Sequence, residues 1–425
     1  MGRLVPPVTT KPKGVIDLRT IKVLAVGITA AFMALACGSG STSTATSSPS
    51  APTAVMADSK AADLRVALDN LLGEHIFLAA KATGGALRGG TSDPEFAAYG
   101  AKLGTNGTDL GALIGVAYGT DAQNQFNALW SAHNGFFVDY TVGVATGDSA
   151  KKAAAVDNLK AKYIAPFAAF LAGPTGLPQN TLADVLTAHV LDTAAVVDDQ
   201  GAKNYTKAYA DLRTAYAQLY KIGDALAGAI AAKVPAKFPG NPNNSAVQLR
   251  VNLNELFQEH LYLASMATSA ALRYGANDAE FMAAAGALNV NGTDIGAAVG
   301  SLYGTDAQTQ FNALWSAHNG FFVDYTIGVA TKDAAKKSGA VDNLKTKYIT
   351  PFAAFLSGAT GVPQDALAGL LTTHVLTTAA IVDDQGANDF AKASIDDRTA
   401  AQDMQMIADP LGAAFVKKFP TKFTA

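Results

Sequence analysis

One cysteine among 425 residues cannot form an intrachain disulfide or a thiolate metal cage, so any metal must be held by histidine, carboxylate or thioether. Charge is scarce and balanced. Charged residues make up 16% of the chain, with 35 acids against 32 bases and a net charge of −3, which removes the basic footprint that nucleic-acid binding requires. Glutamate is scarcer still. Only Glu74, Glu95, Glu255, Glu259 and Glu280 occur, leaving 35 − 5 = 30 aspartates, and no Glu-x-x-His pair exists. Carboxylate-bridged di-iron chemistry is thereby excluded. Also missing are Cys-x-x-Cys-His for covalent haem, His-Glu-x-x-His for a zinc peptidase, a Gly-rich loop after a strand, and a serine in a nucleophile elbow. No alternating β-branched run of strand length appears. What remains is 49% hydrophobic, a globular composition with ample core.

The N-terminus has the layout of an export signal: basic residues Arg3, Lys11, Lys13, Arg19 and Lys22, then an uncharged run from Val23 to Ala36 that ends at Cys37. That run is shorter than the roughly 20 residues a membrane-spanning helix needs. The stretch Met33-Ala34-Leu35-Ala36-Cys37 resembles the lipobox of bacterial lipoproteins, a resemblance that implies acylation of Cys37 and a lipid-anchored, extracytoplasmic protein. Secretion without lipidation and an uncleaved anchor are the alternatives. Residues 38–60 follow as a Ser/Thr/Gly-rich tether with nothing to bury.

Shifting the chain against itself by 185 positions superposes Leu64-Arg65-Val66 on Leu249-Arg250-Val251 and Lys237-Phe238 on Lys422-Phe423 without a gap. The segment FNALWSAHNGFFVDYT occurs at 126 and again at 311. The organisation expected is signal 1–37, tether 38–60, repeat 1 at 61–240, linker 241–246 and repeat 2 at 247–425. Apolar residues recur at helical spacing, as in Leu64, Leu68, Leu71, Leu72, His75 and Leu78. Helices are expected at 61–85, 93–118 with a break at Gly107, 121–146, 149–172, 179–199 and 202–231. The fold class is all-α: a tandem duplication of a four-helix-bundle-like domain with extra helices, ferritin-like in general architecture. At about 180 residues each repeat is large enough to be expected to fold alone.

The six histidines of the chain are His75, His133 and His189 with their 185-residue partners His260, His318 and His374. Each falls on the apolar stripe of a different helix and near its midpoint, so packing should bring three imidazoles to one level in each repeat. A buried imidazole needs partners for its nitrogens, at a cost on the order of 1 to 3 kcal/mol for each group left unpaired, and a metal supplies one. A structural hydrogen-bond network or a porphyrin pocket using one or two of the three is the rival reading. Candidate oxygen ligands are Glu74 and Glu259 beside the first histidines, then Asp109, Asp294, Asp139, Asp324, Asp199 and Asp384, the last groups being more often helix caps. Arg213 and Arg398 are expected to pair with one of these acids. Met266, Met282, Met404 and Met406 stand where repeat 1 has Lys81, Ala97, Leu219 and Lys221, and would soften the second site if they reached it.

The Leu-Arg-x-x-Leu opening, the Glu-His of the first helix, the FFVDYT after the second histidine and the Ala227-Gly228-Ala229-Ile230 and Lys237-Phe238 ending resemble a helical module of secreted bacterial proteins loosely labelled copper amine oxidase-like. The resemblance covers nearly all of both repeats and favours copper, without implying an activity. The sequence thus points to an exported, membrane-tethered metal-binding protein with one tri-histidine site per repeat. Copper or zinc is the expected ion, with iron or b-type haem as alternatives. A metal-dependent oxidoreductase using the same sites and a metal-free adhesion or scaffold module are the competing functions; partners are metal ions and the membrane, not nucleic acid, and no protein partner is indicated.

Overall fold

The computed structural model describes residues 57 to 423, which are helical and contain no strand among the described residues. Cys37 and the signal and tether readings lie outside them, apart from the last few tether residues. Repeat 1 forms α1 (Lys60–Gly89), α2 (Pro94–Tyr118), α3 (Thr120–Thr146), α4 (Ser149–Asn158, a π-helical turn Leu159–Ile164, then Ala165–Thr175), α5 (Gln179–Gly201) and α6 (Tyr205–Lys233). Repeat 2 follows with α7 (Ser245–Tyr274), α8 (Ala279–Tyr303), α9 (Thr305–Thr331), α10 (Ala334–Asn343, a π-helical turn Leu344–Ile349, then Thr350–Thr360), α11 (Gln364–Gly386) and α12 (Phe390–Lys418). The all-α reading of the sequence holds.

The helix ends obey local chemistry. Ser59, Asp93, Asp148 and Asn244 each accept a hydrogen bond from a first-turn backbone N–H, satisfying donors that the helix itself leaves open. Gly147 closes α3 in the left-handed conformation at φ 66°. Two expectations fail. Gly107 does not break α2, which runs through it; a Cβ there would lie 2.6 Å from Trp130 Cδ1, so the glycine is a seat for the indole of α3 rather than a hinge. The π-helical turns of α4 and α10 have no counterpart in an apolar-periodicity reading.

Helices α1 and α7 are buried almost all round, including every residue from Leu72 to Leu78 in α1, as befits helices enclosed by others. Within its repeat α1 packs on α2, α3, α5 and α6, and α7 does the same with its own neighbours. The two also pack on each other, while α12 lies on α2 and α6 on α8. Residues 57–423 therefore constitute one compact unit with the repeats joined through a shared core. Gly73 keeps this contact close: a Cβ on it would stand 2.6 Å from Gln258 of the other repeat and from Tyr216 and Tyr220 of its own.

The contact between repeats is reciprocal. Arg398 forks onto Glu74 at 2.8 and 2.9 Å and reaches Asp109 at 2.7 Å, and its 185-residue counterpart Arg213 does the same with Glu259 and Asp294. Arg88 pairs with Asp278 and Glu280 of the other repeat, and Arg273 with Asp93 and Glu95. Bidentate arginine–carboxylate pairs of this kind are directional and fix the orientation of the surfaces that carry them.

Candidate metal centres

Each histidine of a repeat arrives on a separate helix: His75 on α1, His133 on α3 and His189 on α5, repeated as His260 on α7, His318 on α9 and His374 on α11. All six are buried, and within each triplet one ring nitrogen per residue lies within 4.8 Å of the other two. The sequence expectation that three imidazoles converge is met in both repeats.

The closest pair is His75 Nε2 and His133 Nε2 at 3.4 Å, matched by His260 and His318 at 3.4 Å. Two imidazole nitrogens bound at about 2.0–2.1 Å to one tetrahedral ion would stand roughly 3.3–3.4 Å apart, so the spacing fits two ligands of a common metal. The third ligand atom must close in by a modest side-chain movement. His133 Nδ1 is 2.5 Å from the carbonyl of Trp130, one turn back on α3. A carbonyl only accepts, so the ring hydrogen sits on Nδ1 and the Nε2 lone pair is directed at the cluster, the arrangement by which a second partner orients a metal-binding imidazole. His318 is held in the same way by Trp315.

The walls explain why the helices had to be built this way. Tyr163, presented by the π turn of α4, stacks on His133 with ring centroids 4.4 Å apart, and Tyr348 repeats this on His318. Trp130 lies 4.7 Å from both His75 and His133. Desolvation by this aromatic shell makes protonation costly: it pulls His133 and His318 down to about 3 and His189 and His374 down to about 4. His75 and His260 are also lowered well below the ordinary imidazole value, by burial first and then by repulsion from the two neighbouring histidines. All six are neutral at pH 7 and available as ligands. Meanwhile His75 Nδ1, His189 Nδ1 and His260 Nδ1 are buried without a hydrogen-bond partner, and for His75 and His260, whose Nε2 faces the cluster, an ion bound there would not supply one.

The oxygen ligands expected from the sequence are elsewhere. Glu74 and Glu259 belong to neither histidine triplet. The Glu74 carboxylate is taken by Arg398, by Asn106 Nδ2 at 2.8 Å and by Tyr262 at 3.1 Å, because one residue along a helix turns it about 100° away from His75. Glu259 is held by Arg213 and Asn291. The expectation for Arg213 and Arg398 thus holds, and they use Asp294 and Asp109 as well. Asp139, Asp324, Asp199 and Asp384 pair with Lys151, Lys336, Lys207 and Lys392. Of these four methionines, Met282 and Met406 are exposed, and Met404 shares a cavity with a histidine of the cluster, His374.

Cavities adjoin the clusters on both sides. In repeat 2 they measure about 280 and 290 Å³ and both reach His374; in repeat 1 they measure about 40 Å³ beside His189 and 170 Å³ beside His75. Sequence reasoning missed the tyrosines of the π turns and these cavities; the identical spacing of Tyr163 and Tyr348 from the histidines was the available signal. Comparison of the chain with protein-family models, with curated proteins and with solved structures gives no match.

Proposed function

We propose that the protein is an exported metal-binding protein, tethered to a membrane through Cys37, with one first-row transition metal held by the three histidines of each repeat. The observation that supports this reading is a pair of fully buried, mutually facing, neutral imidazole triplets in which one ring nitrogen per residue lies within 4.8 Å of the other two. Three imidazoles without a carboxylate or thiolate suit Cu(II), Zn(II) or Fe(II), and divalent affinity at such donors peaks at copper. The chain's own residues supply the donors, hold His133 and His318 in the ligating tautomer through Trp130 and Trp315, and exclude water by stacking Tyr163 and Tyr348 on the rings.

Elemental analysis of the purified protein, before and after chelator, tests the reading. Two metals per chain are expected, and His133→Ala and His318→Ala should each remove one. Full stoichiometry in both variants, or no copper, zinc or iron bound on reconstitution of the wild type, would transfer the histidines to a purely structural role. Cys37→Ser tests the tether separately: the variant should leave the membrane fraction, and unchanged retention would discard the lipid anchor.

A redox enzyme is the second reading, favoured by the two large cavities at His374, which would let a small substrate approach a three-coordinate ion in repeat 2.

A further inference from the structure

The cavity of about 280 Å³ in repeat 2 and the cavity of about 40 Å³ in repeat 1 are the same place in the fold, since every wall residue of the smaller has its 185-residue counterpart in the wall of the larger. The difference is written in a few side chains. Where α2 carries Leu113 and Ile114, α8 carries Ala298 and Val299, four carbon atoms fewer, and both line the larger cavity, although Phe257 there is bulkier than its counterpart Leu72. At the outer end Ala67 and Val116 are replaced by exposed Asn252 and Ser301, which line the same cavity as fully buried His374 and Trp315. The space therefore runs from solvent to the imidazole of His374. None of its lining residues carries a formal charge.

An apolar cavity of about 150 Å³ is enough to take up a benzene ring, whereas one several times smaller has room for little more than a water. We propose that repeat 2 contains a binding site for a small, uncharged, predominantly apolar molecule, larger than benzene and about the size of a bicyclic aromatic, entering past Asn252 and Ser301 and abutting His374; repeat 1, closed by Leu113 and Ile114, has lost or never had it. The site stands on cavity geometry alone. Its consequence rests on the metal reading: on this side of the two histidine triplets, the second is the one whose metal a ligand could touch, while repeat 1 offers only the separate cavity beside His75.

Titration calorimetry with indole on chelator-treated protein tests the site without involving the metal, so failure here is distinct from failure of the elemental analysis. Indole should bind, and Ala298→Leu/Val299→Ile, which installs residues the first repeat already accommodates, should remove one equivalent. Leu113→Ala should add one at repeat 1 and decides the matter if the double variant fails to fold. Absence of indole binding, a stoichiometry unchanged in a folded double variant, or an unchanged stoichiometry in Leu113→Ala would each overturn the proposal.

Discussion

Asp397 stands where repeat 1 has Leu212, and Lys81 where repeat 2 has Met266. Both are buried between the repeats, with Lys81 Nζ 2.7 Å from Asp397 Oδ2, Tyr99 donating to the same oxygen at 2.6 Å, and Asp397 Oδ1 unpartnered. Removing one member strands the other, at about 3–5 kcal/mol, whereas replacing both with apolar residues is often neutral or stabilising. Asp397→Leu and Lys81→Met should each lower stability by that order in urea unfolding, and the double variant should recover most of it; additive losses would show the pair is not coupled. The histidines make a second residue-scale prediction. Their folded values lie below the ordinary 6.5, so the unfolded chain takes up protons first as pH falls. Stability is fully present above about pH 6.5 and is lost below it, at about 1.4 kcal/mol per pH unit for each histidine that stays neutral when folded. Metal-free protein should show a melting temperature falling steeply between pH 6 and 4, and a flat profile would mean that the imidazoles are hydrated. Bound metal adds a loss of the same sign, since protonation releases it.

At the scale of elements, Gly107→Ala would press a methyl group into Trp130, which closes over His75 and His133. Relief requires moving the indole, and a destabilisation of roughly 1–3 kcal/mol is expected for such overpacking, read by thermal unfolding together with a change in Trp130 fluorescence. The equivalent Gly292→Ala should cost less, because a Cβ there meets Trp315 at 3.0 rather than 2.6 Å. Equal costs would separate stability from this contact. These glycines also show where legibility ends. Several helix limits were readable because Gly119 and Gly147 act locally, on their own backbone, whereas the first helix, expected to end at 85, runs through Gly84 and Gly85 to Gly89. The convergence of the histidines was readable because each lies on an apolar stripe. Gly107 was misread as a breaker because its reason is a side chain 23 positions away, and Glu74 as a ligand because its arginine is in the other repeat. The π turns were invisible because one extra residue in a helix leaves the apolar pattern on both sides intact.

For the whole molecule, the reciprocal arginine clusters mean that one repeat presents acids and arginines that complement its own copy. Repeat 1 expressed alone, residues 61–240, which the sequence suggested would fold by itself, should associate as a two-fold dimer in which Arg213 takes the place of Arg398 at Glu74 and Asp109. Lys81→Met should strengthen that dimer, since Leu212 offers the lysine no partner. Sedimentation that finds a stable, metal-binding monomer at micromolar concentration would refute this. Repeat 2 behaves differently in the same thought experiment. Two copies of it would bury Asp397 twice against Met266 and Ala284, with neither the lysine nor the tyrosine that holds it now. A pair of that kind is accessible only to a chain whose halves are inherited together, because a homodimer must write every change on both sides of its axis. Covalent fusion has thus become irreversible in this protein: the halves still share FNALWSAHNGFFVDYT around the second histidine letter for letter, yet they can no longer exchange the faces by which they meet.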